Sequence, residues 1–229
     1  MPNNVLVLDD DPDSRAALVR TLQATDFSTV APNGPFDTID ALCRFARAEG
    51  ITHVVTDHRL RERRFSTFLG ATAAGALNVM KIAPILVTAY ATQDMDHDIR
   101  PYLGSIPCII QRKASAVDPR TLREALEISA SEVIEGRIPR SRRPCRSVVS
   151  VENIVQHRTS GPRELHLMVR QWRKDVTVGF PANALSAEIQ QALKPGLLLI
   201  AQVNIEAETP DRLFLRDFEL PLPEDMYDL

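Results

Sequence analysis

Apolar residues in the first 135 positions follow two alternating patterns. Continuous runs occur at Asn4–Leu8, Phe27–Ala31, Ile51–Thr56, Ile82–Thr88 and Ile106–Ile110. Between them lie stretches with apolar residues at helical spacing, such as Phe36, Ile39, Leu42, Cys43 and Ala46 within Pro35–Ala48,. Further helices are predicted from Pro12, over Arg63–Leu77, over Thr92–Leu103 and over Pro119–Glu135. Asp11 precedes the first and is placed to cap it, while Gly70 and Gly75 weaken the third,. Five β–α units with continuously apolar strands predict an α/β fold, a doubly wound five-stranded parallel sheet covered on both faces.

The pattern changes at Gly136. Residues 136–146 form a segment rich in arginine and proline, read as an extended linker or a basic arm,. Residues 147–220 then predict a small mostly-β domain. Its strands are Ser147–His157, Glu164–Trp172, Asp175–Phe180, Leu197–Glu206 and Arg212–Leu220, with one helix at Asn183–Leu193,. One helix before the fourth of five strands is compatible with a small barrel of the OB type, and a β-sandwich fits the periodicity nearly as well. Residues 221–229 form an acidic tail,.

Composition narrows the classes. The 229 residues carry a formal charge of -3 with 25% charged residues, so the chain is no polyelectrolyte binder,. No apolar run approaches the ~20 residues of a membrane span. Met1-Pro2-Asn3-Asn4 lacks the basic region of a signal peptide, and a cytoplasmic location is the expectation,. Cys43, Cys108 and Cys145 are too widely spaced for a zinc knuckle or a disulfide framework,.

The candidate chemistry lies where the apolar runs end. Asp9, Asp10 and Asp11 follow Val5–Leu8, Asp57 follows Val54–Thr56, Thr88 closes Ile85–Thr88, and Lys113 comes soon after Ile109–Ile110. In an open parallel sheet ligands sit beyond the carboxyl ends of the strands. Clustered carboxylates require a compensating cation, and hard oxygen donors suit Mg²⁺. An aspartate can attack a phosphoryl group, while a hydroxyl and an ammonium hold its oxygens.

With these stretches in place, residues 3–135 resemble the receiver (CheY-like) domain of two-component response regulators, which has a flavodoxin-like sheet. The resemblance implies that Asp57 is the phosphoacceptor. It implies that Asp9, Asp10, Asp57 and the Arg59 backbone carbonyl hold Mg²⁺, that Thr88 is the switch hydroxyl and that Lys113 binds phosphate. The implied partner is a histidine kinase or phosphotransfer protein, and the implied catalysis is limited to self-phosphorylation and dephosphorylation. The chain departs from the pattern in three places. Ala114 follows Lys113 where many receivers have proline, and Ile110 stands where an aromatic switch residue is usual. The loop after Asp57, His58-Arg59-Leu60-Arg61-Glu62-Arg63-Arg64, is unusually basic.

The C-terminal domain shows neither a helix-turn-helix nor a catalytic constellation. From Arg142 onward there are 11 basic and 12 acidic residues, net -1, which argues against a broad phosphate-binding face,. His157 and His166 lack partners at metal spacing. Arg170, Trp172, Arg173 and Lys174 form a basic and aromatic patch, extended by Arg142 and Arg143. The patch is either an output contact able to stack a base or a solvated rim around a half-buried tryptophan. Two outputs follow: a β domain, or receiver face, that binds protein or forms a homo-oligomer, and a domain and arginine linker that bind nucleic acid.

Overall fold

The computed structural model describes residues 4–25, 27–112, 117–156 and 163–222. The chain divides into two compact units. The first is Met1–Ala91 with Ser105–Ile138, and the second is Thr92–Gly104 with Pro139–Leu229. Lys113, Ala114, His157 and Gly161-Pro162 lie outside the described residues, as does most of the acidic tail.

The first unit is built on β1 (Asn4–Leu8), β2 (Ser28–Val30), β3 (His53–Thr56), β4 (Ala83–Thr88) and β5 (Cys108–Gln111). All pair in parallel, in the order β2-β1-β3-β4-β5. This is the doubly wound, flavodoxin-like order. Because successive side chains point to opposite faces, each apolar strand serves two cores. Val5 and Val7 pack with Leu18, Leu22, Leu122 and Leu126, whereas Leu6 and Leu8 pack with Leu42, Ala46, Ala73 and Leu77. The first set of helices is α1 (Pro12–Gln23) and α5 (Pro119–Val133); the second is α2 (Ile39–Ala48) and α3 (Gly70–Val79). The Asp11 carboxylate accepts hydrogen bonds from Asp13 and Ser14 backbone N–H groups at 2.9 Å, and Asp118 caps α5 through Thr121.

Two helices differ from their periodicity. The third starts at Gly70 instead of Arg63, because Phe65 and Phe68 are drawn into the core and Arg64 takes a left-handed conformation. A turn in which Ser66 bridges to Phe36 replaces the predicted first helical turns. The stretch Thr92–Leu103 is likewise no regular helix. It runs as α4 (Ala91–Asp94), a π-turn segment Met95–Ile99 and a 3-10 segment Arg100–Ser105. Pro101 supplies no N–H for the α-helical ladder, which accounts for the break.

The second unit is a curled, half-barrel antiparallel sheet of β6 (Cys145–Gln156), β7 (Arg163–Val169), β8 (Thr177–Pro181), β9 (Leu198–Val203) and β10 (Leu215–Glu219). Its order is β10-β9-β6-β7-β8, with a bulge between Val151 and Asn153 in the central, 12-residue β6. Among the described residues no pairing joins the edge strands β8 and β10. The predicted helix shortens to α6 (Ala187–Ala192), capped by Ser186 and preceded by a 3-10 turn at Ala182–Ala184. Alternate residues of the strands, including Val149, Val151, Leu165, Leu167, Phe180, Leu199 and Val203, form the core.

This unit also holds the segment Thr92–Gly104, anchored by Arg100. That side chain is only 2% exposed. Its Nη1 donates to the carbonyls of Pro210 and Leu213 at 2.8 and 2.7 Å. Its Nε donates to Asp96 at 3.0 Å, and Nη2 pairs with the same carboxylate. Gly179 of β8 leaves room for Asp96, since a Cβ there would come within 2.6 Å of the Asp96 Cβ. His97 Nδ1 lies 3.3 Å from Glu164 of β7. No described helix is long and apolar enough to cross a membrane.

Candidate functional site

Strand register carries Asp9 and Asp57 to adjacent ends of the sheet. Leu8 pairs with Thr56, and the Asp57 N–H donates to the Leu8 carbonyl at 2.7 Å. Thr88, fully buried, pairs with Gln111, and its carbonyl accepts from the Arg112 N–H at 2.9 Å. Gly70 lets α3 start against this edge. Its N–H donates to the His58 carbonyl at 2.8 Å, and a Cβ on it would lie 1.7 Å from the Asp57 carbonyl oxygen.

The carboxylates are individually held. Asp9 is 2% exposed; its Oδ1 accepts from the Asp11 N–H at 2.9 Å, and its Oδ2 pairs with Arg112 Nη2 at 2.8 Å. Asp10 Oδ2 accepts from the Arg63 N–H at 2.8 Å, while the Arg63 guanidinium pairs with Asp11 at 2.6 Å. Asp57 Oδ2 accepts from the Arg59 N–H at 2.8 Å. Burial pushes the Asp57 carboxyl up to about 6, with the Arg59 N–H opposing and the nearby Asp9 charge adding to the rise,. Asp10 is raised by burial, whereas the Ser14 N–H holds Asp11 below its ordinary value.

Arg59 presents its carbonyl to the Glu62 N–H at 3.4 Å, and its guanidinium lies 3.5 Å from the Tyr90 ring centroid. The Thr88 hydroxyl accepts from the Tyr90 N–H at 3.2 Å. Ile110, in the position of the usual aromatic, is half-buried against the α1 and α5 core. Thus the structure brings Asp9, Asp10, Asp57, Arg59 and Thr88 to one edge, with Lys113 outside the described residues. Sequence reasoning missed two participants. The sequence pattern points to Lys113, whereas Arg112, which directly follows the last residue of β5, is the cation that meets Asp9. Arg63 stands in the basic loop after Asp57 and at the start of a predicted helix, and neither reading reveals its reach back to Asp10 and Asp11.

The donor set has the hard oxygen chemistry of a Mg²⁺ site, and a cation there would relieve the raised Asp57. Among the described residues no group of three acidic, histidine or cysteine side chains is already drawn together as a metal site. Both Asp9 oxygens are engaged, one by the Asp11 N–H and one by Arg112, whereas Asp10 and Asp57 each accept a backbone N–H on Oδ2, so a metal would share Asp9 with Arg112 or displace it.

Strand order and acid placement together identify the architecture. The N-terminal unit has the doubly wound, flavodoxin-like fold,. Solved receiver domains are similar to this chain: one from Methanospirillum hungatei JF-1 at 16% identity, covering 59% of this chain and 99% of that one, TM-score 0.45. Another, from Clostridium thermocellum, is 16% identical over 57% and 95% of the two chains, TM-score 0.44. The response regulator TrrA of Thermotoga maritima, solved with Mg²⁺-BeF, is 18% identical over 56% and 98%, TM-score 0.42. No family model matches the chain, and no curated protein matches it.

In the second unit the patch residues are dispersed in role. Trp172 is half-buried on the β core and its indole N–H donates to the Ala207 carbonyl at 2.7 Å. The Arg173 guanidinium packs over that indole and donates to the Glu208 carbonyl at 2.8 Å. Arg142 is half-buried, donates to the carbonyls of Leu103 and Gly104, and lies over Phe214. Arg143, Arg170 and Lys174 are exposed.

Proposed function

We propose that this chain is a response regulator that accepts a phosphoryl group on Asp57. The observation carrying this reading is the convergence of Asp9, Asp10, Asp57 and Thr88 at the carboxyl edge of a sheet ordered β2-β1-β3-β4-β5. Although burial pushes its carboxyl up to about 6, Asp57 remains mostly ionised at neutral pH and competent as a nucleophile,. An Asp57 oxygen attacks the phosphorus of a phosphohistidine on a partner kinase or phosphotransfer protein. The P–N bond breaks with its electron pair going to the ring nitrogen, the imidazole leaves neutral with its proton on the other ring nitrogen, and water later hydrolyses the acyl phosphate to inorganic phosphate and the Asp57 carboxylate. Asp9, Asp10, Asp57 and the Arg59 carbonyl would hold Mg²⁺, which neutralises the transferring oxygens. Thr88 and Lys113 receive the phosphoryl oxygens. Catalysis is confined to this self-phosphorylation and its reversal by hydrolysis.

For the β-rich unit we favour output through protein contact or self-association over nucleic acid. Trp172 is committed to the core, and Arg142 and Arg173 bind carbonyls of their own chain. These engagements leave a reduced surface for stacking a base or following a phosphate backbone. Labelling with a radioactive small-molecule phosphodonor tests the receiver role. Wild type should be labelled in Mg²⁺ and Asp57→Ala should not; equal labelling of both would refute it.

A further inference from the structure

We propose that Arg112 is a second phosphoryl-binding residue, held on Asp9 until a metal ion takes that carboxylate. The inference rests on the phosphoacceptor reading of Asp57 and adds a residue to it. Three observations carry it. Arg112 directly follows β5, where its backbone N–H is fixed on the Thr88 carbonyl, so its side chain starts from the reactive edge of the sheet. Its Nη2 lies 2.8 Å from Asp9 Oδ2, in a pair whose side chains are 13% and 2% exposed. Its Nε is buried and has no hydrogen-bond acceptor among the described residues.

Such an arrangement is incomplete by design of its parts. A guanidinium offers a fork of five donors matched to planar or tetrahedral oxyanions. Here one arm neutralises Asp9 while Nε remains without an acceptor, an arrangement that a buried donor tolerates only at a cost. An arriving oxyanion on Asp57 would supply the acceptor. A divalent cation held by Asp9 would compete with the guanidinium for that carboxylate, so binding of one would weaken the hold of the other. Such an exchange would free the guanidinium to meet the phosphoryl oxygens.

Two titrations of the full-length protein test this, followed by NMR amide shifts. In the first, Mg²⁺ is added alone. Arg112→Gln should bind about tenfold more tightly than wild type, the equivalent of one charge-assisted hydrogen bond removed from competition. In the second, beryllium fluoride is added at saturating Mg²⁺. Arg112→Gln should then bind about tenfold more weakly for the same reason. Arg112→Lys, which keeps the charge without the fork, should fall between the two in both titrations and serves if the glutamine variant does not fold. A glutamine variant, or failing it a lysine variant, that matches wild type in either titration overturns the proposal while leaving Asp57 as phosphoacceptor. Absence of Mg²⁺ binding by wild type and all variants would overturn the phosphoacceptor reading, and the Arg112 role with it.

Discussion

Replacing Arg100 with methionine should unfold the second unit at far lower denaturant while leaving the parallel sheet intact. The guanidinium is 2% exposed and satisfies two carbonyls, those of Pro210 and Leu213, at 2.8 and 2.7 Å. Methionine fills much of the volume but donates nothing, so both carbonyls lose their donor in a buried setting, at about 1–3 kcal/mol each. The pair with Asp96 adds less than ~1 kcal/mol, because that carboxylate is 44% exposed and its charge is screened,. Relief from holding a guanidinium out of water offsets part of the loss, leaving a net of about 3 kcal/mol. Trp172 is the single tryptophan of the chain and lies in the second unit, so its emission reports that unit alone. With a urea m-value of about 1.5 kcal/mol/M, the emission midpoint should fall by about 2 M. A fall below ~0.5 M would refute the view that Arg100 anchors Thr92–Gly104 to the β sheet.

Other consequences are separately measurable. Burial pushes the His53 imidazole down to about 4. The unfolded chain therefore binds more protons below pH ~6.5, and the stability this neutral histidine contributes is lost as pH falls toward 4. Relative to wild type, His53→Gln should gain about 2 kcal/mol at pH 5 over its value at pH 8, measured by urea titration in EDTA. Asp57 acts with the opposite sign, since its raised value favours the folded state as pH falls, and it cancels in that comparison,. Gly70→Ala should abolish phosphodonor labelling, because its Cβ would sit 1.7 Å from the Asp57 carbonyl oxygen; labelling at wild-type rate would count against the tight α3 start. Asn204→Leu removes two donated hydrogen bonds, to Ser141 and Arg212, and one accepted from Phe214, and should cost about 2–4 kcal/mol in Trp172-monitored unfolding,. A fragment beginning at Pro139 lacks Asp96 and Arg100 and should fail to give native Trp172 emission; a cooperative unfolding transition from that fragment would contradict the composition of the second unit.

Much of this was written in local pattern. Continuous apolar runs such as Val5–Leu8 and Ile85–Val87 can be satisfied only when both faces are covered, which fixes a parallel sheet with helices on each side. Asp11 and Asp118, each directly before a proline, mark helix starts by chemistry that acts over three residues,. The strand-end acids were legible for the same reason, since register follows from the apolar runs. The second unit's five strands and its helix between the third and fourth were visible from alternation and from breakers such as Lys194-Pro195-Gly196.

What the tertiary structure alone decided concerns contacts between distant positions. Residues 92–103 read as a helix until Pro101 breaks the ladder and Arg100 finds acceptors 110 and 113 residues away. No periodicity encodes that destination, so membership of the second unit had to be seen. The same holds at the acid cluster, where the choice of Arg112 as the partner of Asp9, 103 residues earlier, depends on how β1, β4 and β5 align. The sequence set which residue types reach the sheet edge, because strand ends are local facts. Which cations meet which carboxylates there is a matter of three-dimensional packing, and only the fold could assign it.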